Sequence, residues 1–123
     1  MSAKGKRPSR SKAEKLADKA FGTWIKNSDG WACVCCGVEY HDHRMHAGHM
    51  VKRGKRGVRY DPDNVFAQCS GCNLRHNEYP CYMEVAVIGR IGWQRFFDVL
   101  VKGIPTTQLK TYELLEIAER YAL

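Results

Sequence analysis

The chain has 123 residues, 44% of them hydrophobic, enough for one modest core and few enough to gain from a metal staple. Lys and Arg outnumber Asp and Glu by 20 to 13, for a formal charge of +7 and an isoelectric point near 9.2, so the first expectation is a polyanionic partner. No stretch approaches the roughly 18 apolar residues of a membrane span, and MSAKGKRPSR lacks the apolar segment of a signal sequence, so the expectation is a soluble cytoplasmic protein whose six cysteines are not disulfides.

Residues 1–10 are almost all Lys, Arg, Ser, Gly and Pro and read as a mobile basic tail, followed by a single domain over 11–123. Ser11 with Glu14 has the form of a capping box, and Leu16, Ala17, Ala20, Phe21, Trp24 and Ile25 then recur on one helical face, which predicts a helix ending near 27–30. The segment from Trp31 to Phe66 carries Gly, Cys and His with no helical period and reads as loops with a small hairpin. A short helix is expected from about Cys72. Pro80 opens an apolar helical stretch, MEVAVIGRIGWQRFFDVLV, that Gly89 and Gly92 divide in two, with Trp93, Phe96, Phe97 and Leu100 expected in the core or at a dimer contact. The last helix is expected from a cap at Thr111, with Leu114, Leu115, Ile117, Ala118 and Tyr121 on its apolar face.

CVCCG at 33–37 and CSGCN at 69–73 each hold a Cys-x-x-Cys, the spacing at which a tight turn aims two thiolates at one tetrahedral ion. Cys33, Cys36, Cys69 and Cys72 are therefore the expected ligands of one structural zinc, and the plainer alternative of four unrelated thiols needs both spacings to be accidental. Cys35 and Cys81 lack a partner at that spacing and read as packed thiols. A closed four-sulfur site leaves no open coordination position, so this ion should hold the fold and do no chemistry.

Between the knuckles lie HDHRMHAGHM and then a basic loop in which Lys52, Arg53, Lys55, Arg56 and Arg59 meet no acidic residue, as expected of phosphate contacts. YDPDNVFAQC follows. A histidine, a basic loop, an asparagine and a second cysteine knuckle resemble in their order the HNH, or ββα-metal, nucleases. More closely, WIKNSDGWACVCCG, HAGH, the spacing through DNVFAQCSGCN and the later YMEVAVIGRIG resemble the phage lambda NinG (Rap) recombination endonucleases, and the cysteine frame is also similar to phage endonuclease VII. The resemblance implies an α+β fold, a zinc-stapled HNH core with flanking N- and C-terminal helices. It also implies a metal-dependent DNA endonuclease, phage-encoded and working in the bacterial host, that cuts branched recombination intermediates such as Holliday junctions as a homodimer.

On the residues' own chemistry, phosphodiester hydrolysis needs a base for water and a cation for the charge growing on phosphorus, and a neutral histidine with one divalent ion meets both needs. The family motif puts the base at His49 and matches Asn64 to the asparagine that braces the hairpin. It also matches Asn73 to a ligand of Mg²⁺ or Mn²⁺, the expected catalytic ion. The plainer readings are a structural histidine, a turn residue after Asp61-Pro62, and a helix cap. Gly48 stands where the commoner HNH pattern has a metal-binding side chain, and the lambda relatives read Asp-Ala-Gly-His, so His46 is the natural substitute ligand if a bulge at Gly48 brings it beside His49. His76, one helical turn past Asn73, faces the same ion or solvent. His41 and His43 read as surface residues. The alternative function is a catalytically silent zinc-ribbon protein that binds DNA or assists recombination.

Overall fold

The computed structural model describes residues 8–52, 54, 56–105 and 108–123, with only the backbone of Arg56. The order of elements is helix α1 (Arg10–Ser28), strand β1 (Met45–His49), a 3₁₀ turn (Arg56–Val58), strand β2 (Val65–Cys69), then helices α2 (Ser70–Glu78), α3 (Cys81–Gly103) and α4 (Thr111–Arg120). The chain is thus mixed α+β, and it divides into two compact units: residues to Trp24 with Leu109–Leu123, and Ile25–Gln108.

In the first unit the cap of α1 is Ser9, whose hydroxyl accepts the Lys12 N–H at 3.2 Å while its carbonyl accepts Ala13 N–H. Ser11 sits inside the first turn, so the expected Ser11 cap is two residues late: both serines suit a cap, but the buried stripe Ala13, Ala17, Phe21 at i, i+4, i+8 starts the helix earlier. Leu16, expected on that stripe, is 42% exposed. Tyr121 packs edge-on against Phe21 at 4.8 Å and lies 4.9 Å from Trp24, with Leu114 fully buried. Lys110, not Thr111, holds the cap position of α4, and its N–H is accepted by the Glu113 carboxylate at 2.9 Å.

In the second unit β1 and β2 pair antiparallel in an unbroken register: Met45 faces Cys69, His46 faces Gln68, Ala47 faces Ala67, Gly48 faces Phe66 and His49 faces Val65. The bulge expected at Gly48 is therefore absent. All five residues of β2 are buried, because the strand is covered on both faces. Phe66 joins a core of Met50, Val58, Met83, Val87, Phe96 and Val99, whereas Ala67 and Cys69 point to a second cluster with Met45, Cys33 and Cys72. Each large side chain so buried contributes about 1.5–3 kcal/mol, so the sheet is held from both sides although it has only two strands.

α2 starts at Ser70, two residues before the expected Cys72. α3 breaks where glycine permits it: Gly92 has φ 83° and ψ 166°, outside helical space, while Gly89 stays helical. Past the break Phe96 is buried and Leu100 half-buried, but Trp93 and Phe97 are 61% and 50% exposed with rings stacked at 5.5 Å.

Arg95 forks onto Asp63, with Nη2 2.5 Å from Oδ1 and Nε 3.1 Å from Oδ2, and this hydrogen-bonded cation holds the Asp63 carboxyl below its ordinary value of 3.8. A carboxyl with a lowered folded pKa stabilises fully above its unfolded value and loses that contribution as pH falls through the folded value. Arg95→Gln should therefore flatten the fall in stability below about pH 4, by a small amount since the pair is partly exposed. Denaturant midpoints measured across that range check this, and parallel acid limbs for the two proteins would disprove it.

Candidate functional site

The cysteines come together first. The turn from Cys33 closes through Gly37 N–H to Cys33 carbonyl at 2.9 Å and Cys33 N–H to Val38 carbonyl at 2.8 Å, with Gly37 at φ 80° where a β-carbon is disfavoured. Val34 N–H donates to the Ala67 carbonyl at 2.8 Å and ties this turn to β2, which ends at Cys69 and runs straight into α2 with Cys72 in its first turn. The sulfurs of Cys33, Cys36, Cys69 and Cys72 lie within 4.8 Å of one another. Cys36 and Cys69 are 3.8 Å apart, which matches the spacing of about 3.8 Å that tetrahedral geometry imposes on metal–sulfur bonds of about 2.3 Å. All six cysteines are free, and the donor set fits a structural metal such as zinc.

Burial works to raise the Cys33 thiol, but the backbone N–H groups of Cys36, Cys69 and Cys35 around its sulfur outweigh it and bring the pKa to about 7. The lowered pKa favours the thiolate form that a cation binds. Burial pushes Cys72 up instead, with the Tyr82 hydroxyl 3.4 Å from its sulfur. Cys35, also raised by burial, takes Gln68 Nε2 at 3.5 Å and stands outside the cluster, and Cys81 is exposed.

A pocket of about 410 Å³ lies beside the cluster's strand and helix, lined by His46, Ala47, Gly48, His49 and Lys52 from one side and Asn73, His76 and Asn77 from α2. Four consecutive residues of β1 line it and none of β2 does, so it runs along the strand's free edge. This is how His46 and His49 share one pocket without a bulge. Asn73, His76 and Asn77 share one face of α2 by their spacing of three and four. Asn77 was not anticipated, although that spacing marks it.

His49 is half-buried, and its Nε2 lies 2.9 Å from the Arg59 carbonyl. A carbonyl only accepts, so Nε2 carries a proton and donates it to the Arg59 carbonyl. Asn64, fully buried, clamps the loop that supplies this carbonyl: its Oδ1 accepts Val51 N–H at 2.7 Å, and its Nδ2 donates to the carbonyls of Val51 and Val58 at 3.0 Å each. His46 is exposed. His76 is half-buried, and burial lowers its pKa, against the upward pull of Glu84, so it is neutral at physiological pH.

Gly48 is a glycine for a packing reason. A β-carbon there would stand 2.4 Å from Gln68 Oε1, a buried atom with no hydrogen-bond partner among the described residues. Of the basic loop, Lys52 is exposed at the pocket, whereas Arg53, Lys55 and the Arg56 side chain lie outside the described residues. Arg59 is 5% exposed, with its Nε 3.1 Å from the Tyr60 hydroxyl, so its side chain lies inside and not on the loop surface. His41 stacks on Trp31 and bonds Glu39, away from the pocket lining.

The arrangement defines a small α+β protein with a four-cysteine cluster suited to a structural metal. A family model described as Bacteriophage Lambda NinG protein matches residues 2–123, and the chain belongs to that family. No curated protein and no solved structure matches it. No helix of the described residues is long and apolar enough to cross a membrane.

Proposed function

We propose that this chain is a metal-dependent DNA endonuclease of the HNH, or ββα-metal, type, hydrolysing phosphodiester bonds in branched recombination intermediates in the host cytoplasm. The observation that supports it best is the pocket on the edge of β1, where His46, His49, Asn73 and His76 converge with Lys52 beside them. The chain order of a histidine strand, a loop, a second strand and a helix with Asn73 in its first turn agrees with a ββα unit.

His49 takes the proton from water: the Arg59 carbonyl fixes its tautomer and steadies the imidazolium that forms, the part a general base and its orienting acceptor perform. Asn64 acts through the loop it clamps and is a positioning residue. His46, Asn73 and His76 would hold a divalent ion, which when bound supplies the charge that stabilises the phosphorane oxygens. Lys52 meets a phosphate of the strand. The cysteine cluster is closed and keeps β2 and α2 in register beneath the pocket.

The exposed Trp93 and Phe97, followed by Val101 at 64% on the same helix and Ile104 at 72% just past its end, form an apolar stripe suited to a homodimer, which would set two sites against the two strands of a junction. One observation favours the alternative of a silent DNA-binding accessory protein: position 48 offers no ligand, and Gln68 crowds the space a side chain there would enter. Incubation of the protein with four-way, nicked and linear DNA, with and without divalent ions, separates the readings. Metal-dependent cutting of the four-way substrate ahead of linear duplex is expected, and tight binding of all three without cutting would support the accessory reading.

A further inference from the structure

Resting on the nuclease reading, we infer that the pocket between β1 and α2 takes a nitrogen-preferring transition-metal ion such as Ni²⁺, Co²⁺ or Zn²⁺ in preference to Mg²⁺, with His46 and His76 as imidazole donors and Asn73 as an amide oxygen donor. Mg²⁺ is a hard ion that proteins hold through one or two carboxylates, with waters completing a near-ideal octahedron. No aspartate or glutamate is among the eight residues lining this pocket. Glu84 is felt by His76 only through space, as is the opposing charge of Lys52. Nor does position 48 carry a carboxylate: it is a glycine, and a β-carbon there would stand 2.4 Å from Gln68 Oε1.

What remains is a neutral donor set in a chain of charge +7. Neither feature attracts a hard cation, whereas imidazole nitrogen gains affinity along the series from Mn²⁺ to Ni²⁺. Two imidazoles and one amide oxygen also leave coordination positions for water and a phosphate oxygen, unlike the closed cysteine cluster. The chain would then sort ions by donor type: thiolate sulfur for the structural site, imidazole nitrogen for the working one.

The test uses untagged protein with its cysteine-bound metal retained, titrated with NiCl₂, MnCl₂ and MgCl₂ by calorimetry, with Ni²⁺ also followed by its ligand-field absorption. Ni²⁺ should bind at least about tenfold more tightly than Mg²⁺, and His46→Ala and His76→Ala should each weaken Ni²⁺ by about tenfold or more, since even outer partners of a ligand are worth that much. His46 is exposed, so the folded state tolerates its removal, and metal content at the cysteines should stay unchanged. His46→Asp, which adds a hard oxygen, should narrow the gap between Ni²⁺ and Mg²⁺. Equal affinities for the two ions, or Ni²⁺ binding indifferent to both alanine variants, would overturn the inference. Selective Ni²⁺ binding without cleavage of any DNA would uphold it while ending the nuclease reading, and Mg²⁺-driven cleavage with no Ni²⁺ preference would do the opposite.

Discussion

Cys33→Ser or Cys72→Ser is expected to abolish metal binding at the cysteine cluster and with it the packing of β1, β2 and α2. The cluster fastens the turn after α1 to the junction of β2 and α2, adding to the hydrogen bond from Val34 N–H to the Ala67 carbonyl. A structural zinc site contributes on the order of 10 kcal/mol in small domains, comparable with the whole stability of about 5–15 kcal/mol of an ordinary domain. Without it the sulfurs of Cys33, Cys69 and Cys72 are buried beside one another with no partner of opposite charge. Elemental analysis should give one zinc per chain for the wild type and none for either variant. The near-ultraviolet circular dichroism of the variants should collapse, and chelation of the wild type should reproduce that collapse. A well-folded, metal-free wild type would remove the cluster from any structural role.

His49→Ala should lower cleavage by about a hundredfold or more, the contribution of a well-placed general base, which corresponds to about 2.7 kcal/mol of transition-state stabilisation. Zinc content and DNA affinity should be unchanged. The side chain is half-buried at the strand edge and its Nε2 donates to a backbone carbonyl, so its removal leaves the register of β1 and β2, which rests on main-chain pairing, in place. Measuring single-turnover rates against DNA affinity separates loss of chemistry from loss of binding. A variant that cuts at the wild-type rate would exclude His49 as the base and leave the pocket without a proton acceptor fixed in tautomer.

The cysteine cluster was legible in the sequence because each half is local: a Cys-x-x-Cys turn places two sulfurs whatever the rest of the chain does. The helices were legible from their stripes to within a few residues, and the break at Gly92 from the glycine itself. The missed features depend on contacts distant in sequence. Ser9 and Ser11 are equal as caps until packing of Ala13 decides between them. The bulge at Gly48 was expected because strand alternation separates His46 from His49. A two-stranded sheet with a free edge removes that need, and only pairing reveals it. Arg59 reads as one more loop cation, and nothing local shows that its side chain turns inward while its carbonyl meets His49. Gln68 stands inside the DNVFAQCSGCN motif with no role that its type suggests, yet its side chain crowds position 48.

That last contact makes positions 48 and 68 a single locus for mutation. A side chain introduced at 48 enters space that Gln68 already fills, at 2.4 Å from its Oε1 and 3.0 Å from its β-carbon. The second distance involves an atom that cannot swing away, so rotamer change alone does not make room. A single-step path from this sequence to one with a carboxylate or imidazole at 48 therefore passes through an intermediate in which the two strands must give by a few tenths of an ångström, whereas Gln68→Gly first removes both contacts. The choice of donors along β1 is in this way inherited from its neighbouring strand, and any redesign of the pocket has to begin on the strand that does not line it.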